Sequence, residues 1–519
     1  MKRWMCLAMV LLFLCGCQRK AGRQQSAAAL LPVTEEPVTV PEEMPPVEVP
    51  VQEVIEIEPE IVYADPVFDA LEEEPARRFA MDEGEVCVYE QEDFQDGRRR
   101  LRRQTGLPNG DVVTMGRVFT SSGELELDSF QLQEDGQLRY YDRTGGTWVR
   151  QPMEPCTLGA SMVELELEDG GSWLLYLPKT YVCRENGVLE YLPQQDGQLQ
   201  ITEDGGQWTV TFLGTAPEGT CVCDYLTVCS AEALLDWSHP NCERLWATYT
   251  MEGEGKWCYD GFYWPCPYNY EPTGENYLYR CPASYLVKSF AYVASAFRAA
   301  EDLSTAMLDA LSQIQNEAGY WETLPKSGWL STDYGIGAGF YDTRFNTDLM
   351  EIYVRVYNRV GGEEFRETME RYTAFYTSFA ESHHFETKDG GWFVEDYFHP
   401  DGGSPTHCSL NHLAAECILL YHLSDALERP DLSQLAERLL QAIRDTASSW
   451  INGAGDLHYC VYPNGAYGNQ DYPYLTYNDL YNLQAILRAK NGAEDEALAA
   501  LMNAKRNWMD VNGITGYKK

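Results

Sequence analysis

Positive charge is scarce in this chain: 39 Lys and Arg stand against 80 Asp and Glu over 519 residues, a formal net charge of −41. That balance repels nucleic acid and anionic lipid headgroups at long range, and no basic stripe offsets it. It does not exclude an anionic sugar, which needs only one or two local Arg or Lys. Long apolar runs are missing too. The stretch from Cys6 to Leu14 is too short for a stable span, and no later segment approaches the roughly 18 apolar residues that a span requires. A metal pattern is missing as well. Cys221-Val222-Cys223, with Cys229 and Cys242 nearby, has no second half at zinc-ligand spacing.

Sixteen cysteines are present, and three of them lie in the first 17 residues. The remaining thirteen are an odd number and cannot all pair within the chain. Free or occasionally disulfide-bonded cysteines are expected, and neither a metal nor a cofactor is called for. The start Met1-Lys2-Arg3, the short apolar run and then Leu14-Cys15-Gly16-Cys17 resemble a bacterial lipoprotein signal. The resemblance implies cleavage before Cys17, lipid on that residue, and anchoring at the extracellular face of the membrane without a span. Residues 18–65 follow as a Pro- and Glu-rich tether with little to offset the entropy of ordering it.

Residues 66–230 read as antiparallel β. Runs such as Met162-Val163-Glu164-Leu165-Glu166-Leu167 and Trp173-Leu174-Leu175-Tyr176-Leu177 are separated by Asp135-Gly136, Gly145-Gly146, Asn186-Gly187 and Asp204-Gly205. That cadence predicts a meander folded as a sandwich or barrel. The one basic cluster, Arg98-Arg99-Arg100 with Arg102 and Arg103, reads as a solvated loop, with an anionic chain as its other possible occupant.

From 231 to 519 the period becomes helical. Eight helices are expected: 284–299, 301–315, 345–360, 363–382, 410–427, 432–450, 477–490 and 494–509, with stops at Gly361-Gly362 and Asn491-Gly492. Before each hairpin recurs a punctuation: Gly255-Lys256-Trp257, Gly319-Tyr320-Trp321, Gly390-Gly391-Trp392 and Gly455-Asp456-Leu457. Four hairpins bury one another's faces by closing on themselves, so the fold class is α+β: an antiparallel β domain and then an α/α toroid of about four hairpins.

The polar residues gather where loops meet inner helices. Three junctions read Arg344-Phe345-Asn346-Thr347-Asp348, Ser409-Leu410-Asn411-His412 and Thr476-Tyr477-Asn478-Asp479. Helix capping explains each Asn singly; three together make a polar rim. The loops add Glu395-Asp396-Tyr397, two histidines (His399 and His407), His458-Tyr459-Cys460-Val461-Tyr462 and Asp471-Tyr472.

Over roughly residues 319–509, Trp392…Asp396-Tyr397…Leu410-Asn411, Gly455-Asp456-Leu457-His458-Tyr459 and Asp471-Tyr472, or Tyr477, ahead of Asn482-Leu483-Gln484 resemble the helical domain of D-glucuronyl C5-epimerases. The arginine of that family's Tyr-Asp-Leu-Arg block is absent, with Cys460-Val461-Tyr462 in its place. The resemblance implies an isomerase acting on a uronate-containing polysaccharide or oligosaccharide. C5 inversion needs a base on one face of the sugar and an acid on the other. Asp396 or Glu395, with Tyr397 beside it, is the expected carrier on one side, and Tyr472 or Tyr477 on the other. Tyr459 or Tyr462 is a further donor. Arg344 and His412 are expected to hold the substrate carboxylate, with Asn411, Asn478 and Trp392 lining the site. A lyase or glycoside hydrolase on the same scaffold, or a glycan-binding lipoprotein without chemistry, remains the alternative.

Overall fold

The structure, a computed structural model, describes residues 74–95 and 97–519. The expected leader, lipid-bearing Cys17 and tether lie outside these residues. Among those described, no helix is long and apolar enough to cross a membrane. The chain divides into two compact units, one of residues 74–340 with 355–371, the other of 341–354 with 372–519.

The first unit opens with β1 (Arg77–Met81), β2 (Gly84–Gln95), β3 (Arg98–Gly106), β4 (Val112–Thr120), β5 (Gly123–Leu132), β6 (Gly136–Asp142) and β7 (Thr147–Pro152). There follow β8 (Cys156–Leu158), β9 (Met162–Leu167), β10 (Ser172–Cys183), β11 (Leu189–Tyr191), β12 (Gln198–Asp204), β13 (Gln207–Ala216) and β14 (Cys221–Ser230). A large antiparallel sheet runs β1-β2-β3-β4-β14-β10-β11, with β9, β6 and β7 branching from β10. A four-stranded sheet ordered β5-β13-β12-β8 packs on it. Their inner faces share one core, with Leu127, Phe130, Ile201, Val210 and Phe212 from the small sheet meeting Val118, Leu138, Leu165, Leu175 and Cys223 from the large one. The domain is therefore a sandwich rather than a barrel. Asp204 pairs with Gln207 across a two-residue turn in which Gly205 and Gly206 both take positive φ (61° and 87°). Glycine, lacking a Cβ, adopts that primed-turn geometry without strain.

The basic cluster is a strand, not a loop. Arg99 and Arg103 of β3 pair with Glu92 and Glu90 of β2. On the opposite face Arg98 donates to the carbonyls of Ser122 and Glu124, and Arg100 to those of Glu126 and Leu127. These guanidinium groups thus lie along the outer edge of β5. The cysteines at 221, 223 and 229 are core residues of β14, and none of the thirteen described cysteines is disulfide-bonded.

The change to helix comes later than the expected residue 231. After the short α1 (Cys242–Thr248), β15 (Lys256–Cys258), β16 (Gly261–Pro265) and β18 (Tyr277–Arg280) extend the large sheet from β11, with β17 (Tyr270–Glu271) between them in sequence. Cys258, Tyr263 and Leu278 fill a second core with Tyr181, Leu189 and Val222. That pairing joins segments roughly 90 residues apart, which local periodicity does not register. Then come α2 (Tyr285–Val293), α3 (Arg298–Ser312), α4 (Gly328–Tyr334), α5 (Thr343–Val360) and α6 (Glu363–Ser382). The last four are α7 (Leu410–Ala426), α8 (Pro430–Trp450), α9 (Leu475–Asn491) and α10 (Glu496–Val511). All eight expected helices are present, α2 shorter at its end by six residues. The recurring punctuation marks entry into short strands, and Gly319, Gly390 and Gly455 take positive φ there.

In the second unit α7 packs on α8 and α9, and α10 on α8 and α9. α7 is buried on every side from Leu410 to Tyr421, whereas α8 buries one stripe: Leu432, Leu435, Ala436, Leu439, Leu440 and Ile443. The first is the pattern of an inner helix and the second that of an outer one, the alternation of an α/α toroid. The strand Trp392–Val394 lies on α8, and a Cβ on Gly391 would sit 2.3 Å from the Ala442 backbone nitrogen and 2.5 Å from its Cα. Gly391→Ala is therefore expected to destabilise the protein by about 1–3 kcal/mol through overpacking, read as a lowered midpoint in thermal unfolding.

Candidate active site

Asp396 sits at the centre of a buried polar group in the second unit. Its backbone N–H donates to the His407 carbonyl (2.9 Å), and its own carbonyl accepts from Thr343 at the start of α5 (3.0 Å). Its Oδ1 accepts from the Ser409 N–H at the start of α7 (2.9 Å). Three backbone bonds thus fix a carboxylate that is 1% exposed. His407 Nε2 lies 3.3 Å from its Oδ2, and His412 Nδ1 lies 3.6 Å from its Oδ1 and 2.8 Å from the Thr343 hydroxyl. The Tyr397 ring stands 5.8 Å from His407 and 5.9 Å from His412. His407 in turn packs against Tyr459 (5.7 Å) and Tyr462 (6.0 Å), and Tyr459 against Tyr472 (5.7 Å).

Burial works against charge on Asp396, but His412, His407 and the Ser409 N–H outweigh it, and its carboxyl is held below the usual range. Burial pushes the His412 imidazole down to about 4, so it is neutral at pH 7. Burial, opposed by the Thr406 N–H and reinforced by Asp396, raises Glu395. Its Oε2 accepts that N–H at 2.7 Å, which ties it to the loop rather than to the imidazoles.

Several expected site residues are elsewhere. Tyr477 is fully buried, its hydroxyl accepts from Arg506 of α10 (3.0 Å from Nε), and its ring packs on Tyr481 and Tyr517. Asn478 accepts from the Lys518 N–H. Trp392 stacks on His384 (3.9 Å) beneath the Arg438 guanidinium. None of these contacts is with the Asp396 group. Arg344 reaches the junction of three helices, donating to the Asn411 carbonyl (3.2 Å) and pairing with Asp479 (2.7 Å) and Asp348 (3.2 Å). Its charge is thereby already answered by carboxylates of the chain. The asparagines do not cap their helices. Ser409 and Tyr474 are the N-cap residues of α7 and α9, and the Asp342 carboxylate accepts from Phe345 at the start of α5. Asn346, Asn411 and Asn478 lie inside the first turns, because α5 and α9 begin two residues before the expected starts.

Two contributors are absent from the expected set. His407 stands in the loop before α7, where no local signal marks it as facing Asp396. Glu416 lies four residues after His412, the spacing that puts both on one face of α7. It is 1% exposed, and burial, then the Asp396 charge, pushes its carboxyl up to about 8. A carboxyl that keeps its proton when folded and sheds it when unfolded stabilises the fold below about pH 4.5, and that stability drains as pH rises to about 8. Glu416→Gln is expected to flatten the fall in thermal midpoint between pH 5 and 8.

No protein-family model matches the chain, and no curated protein matches it. Among solved structures, the chain is similar to cellobiose 2-epimerase from Spirochaeta thermophila DSM 6192 at 17% identity, over 53% of this chain and 70% of that one, with a TM-score of 0.38. It is similar to D-mannose isomerase at 12%, over 44% and 60%, with 0.32. An unsaturated glucuronyl hydrolase from Bacillus sp. GL1 matches at 14%, over 46% and 62%, with 0.31. These likenesses are distant. The chain spans about three fifths of the length of the isomerase and of the hydrolase. The resemblance to D-glucuronyl C5-epimerases has no counterpart at family level.

Proposed function

We propose that this chain is a carbohydrate-active isomerase of the uronate C5-epimerase type, anchored through Cys17 at the extracellular face of a bacterial membrane. The observation that supports it is an ionised, buried carboxylate, Asp396, flanked by two imidazoles and walled by Tyr397, Tyr459 and Tyr462. The C5 proton of a uronate lies next to a carboxylate, and its removal leaves an electron pair that spreads into that group. A neutral imidazole accepts such a proton, and a tyrosine, with an ordinary pKa of about 10, is a protonated donor for the other face. Asp396 sets the orientation and tautomer of the imidazoles. One proton leaves and one returns, so the step needs no cofactor.

A second reading has its own support. Glu416 neutral and Asp396 ionised are carboxyl groups whose environments push them apart, the division of labour found in glycoside hydrolases. Incubating the purified chain with uronate-containing glycans in deuterated water, followed by nuclear magnetic resonance, separates the cases. Deuterium at an inverted C5 supports the epimerase. New reducing ends without exchange establish the hydrolase, an unsaturated product absorbing in the ultraviolet a lyase, and bound but unchanged glycan a binding protein.

A further inference from the structure

In the second unit three helices each present a pair of polar side chains four residues apart. They are Thr343 and Thr347 of α5, Tyr372 and Tyr376 of α6, and His412 and Glu416 of α7. That spacing stacks the members of a pair on one helix face. All six are buried, none more than 3% exposed. Their contacts run from helix to helix. His412 Nδ1 lies 2.8 Å from the Thr343 hydroxyl, Glu416 stands beside the hydroxyls of Tyr376 and Thr343, and Tyr372 stands beside that of Thr347. A buried polar layer thus adjoins the imidazole that flanks Asp396.

Thr343 is the joint of that layer. It is held at the start of α5 by its N–H, which donates to the Asp396 carbonyl (3.0 Å). Its buried hydroxyl has one proton to place and lone pairs to fill. Two groups stand beside it, His412 Nδ1 and the Glu416 carboxyl. Asp396 Oδ1 is 3.6 Å from the same nitrogen, too far for a hydrogen bond but near enough for its charge to act. A proton on Nδ1 is drawn to that anion, whereas a lone pair there would face it. Nδ1 is therefore the donor and Thr343 the acceptor, and the Thr343 proton is left for Glu416. Neither Glu416 oxygen is taken up by a backbone N–H or a charged side chain, and the Tyr376 hydroxyl has no other partner. Glu416, kept protonated at pH 7 by burial, can accept through its C=O oxygen and turn its own proton to Tyr376. The charged and titratable groups facing this line are Asp396, His407, Arg344 and Asp348, with the Cys408 and Cys417 thiols beside Glu416. Arg344 is already paired with Asp348 and Asp479.

We propose that Thr343 and Glu416 are positioning residues for His412: they pin its proton on Nδ1 and leave Nε2 as the bare nitrogen that takes a proton from a bound sugar. In that step the C–H bond breaks, its electron pair stays with the sugar, and the new N–H bond forms on Nε2. The imidazolium charge is met by Asp396. His407 is placed the other way round, since its Nε2 is the atom turned to Asp396 (3.3 Å). The pinning of the proton stands on this geometry alone, and its use in catalysis rests on the epimerase reading.

Nuclear magnetic resonance of the full chain, labelled with nitrogen-15 at histidine, locates the proton without any substrate. The His412 signals, assigned by their loss in His412→Gln, are expected to show a protonated Nδ1 and a bare Nε2 at pH 7. They are expected to shift as pH rises through about 8 and Glu416 ionises. In Glu416→Gln the amide oxygen still accepts, so the tautomer is kept and the pH step is gone. Thr343→Val and Glu416→Leu each remove one link at nearly constant volume, and the Nε2–H form is expected to appear beside the other. Thr343→Ser is expected to restore the parent pattern. On a uronate glycan Thr343→Val is expected to lower kcat about tenfold with KM unchanged. A proton on Nε2 in the parent overturns the proposal. So does a Thr343→Val variant with the parent's tautomer, or a pH step that survives in Glu416→Gln. A chain that turns over no uronate strikes the epimerase reading and leaves the position of the proton, read without substrate, to decide this one.

Discussion

Asp396→Asn is expected to lower turnover on a uronate glycan by about 10²–10⁴-fold while leaving a folded protein. The amide has the shape of the carboxylate, and its oxygen still accepts the Ser409 N–H, so the bond that ties the loop to α7 survives. The charge does not. An amide N–H₂ facing His407 Nε2 reverses the sense of that contact, and the imidazoles lose the anion that selects their tautomers. A linked change is expected in Glu416, whose raised carboxyl owes part of its shift to the Asp396 charge. Its pKa drops in the variant, and the fall of stability towards alkaline pH becomes shallower. Tyr477→Phe makes the contrast. Its hydroxyl is engaged by Arg506, and turnover is expected within about threefold of the parent. Deuterium incorporation at C5, timed for the three proteins, measures all of this. Full activity in Asp396→Asn would remove the carboxylate from the mechanism.

Lys505→Met is expected to cost about 3–5 kcal/mol of folding stability. Lys505, on α10, is 0% exposed and bridges Asp456 (2.6 Å) and Asp471 (2.8 Å). Asp456 leads into the strand that carries Tyr459, and Asp471 immediately precedes Tyr472. Methionine fills a similar volume but leaves two buried carboxylates unanswered. The pH dependence identifies the cause. Burial raises Asp471 to about 6 even with Lys505 beside it, so its contribution to stability is full below about pH 4 and is lost as pH rises through 6. Without the ammonium the carboxyl moves higher, the window of loss extends upward, and the deficit is greater at pH 8 than at pH 5. Urea unfolding at the two pH values checks it. An equal deficit at both would mean that packing, not charge, is what Lys505 provides.

How far the sequence carries can be seen residue by residue. Helix ends were legible because their chemistry is local: Gly361 and Gly492 take the positive φ that stops α5 and α9, and Pro430 opens α8. The Asp396-Tyr397 step was legible because it sits in a loop between two such signals. What was hidden depends on direction and distance. Tyr477 belongs to the right helix but points to α10, and no spacing rule says which neighbour an inner helix turns a given side chain toward. Lys505 reads as a surface residue of an amphipathic helix until the two carboxylates that bury it are seen. Glu416 was masked by its own helix, whose uniformly apolar setting makes one acid look incidental. The sheet that runs on to Arg280 was hidden because its partners lie far back in the chain.

The arginines of β3 have a consequence for how this protein behaves in a crowd. β5 is the outermost strand of its sheet, and an outermost strand offers its carbonyls to any extended segment of another molecule. Arg98 and Arg100 already occupy the carbonyls of residues 122, 124, 126 and 127. An incoming strand would have to displace charged donors and then lie beside them. Copies held close together are thereby kept from zipping edge to edge, and the scarce positive charge of the chain is spent where it keeps neighbours apart.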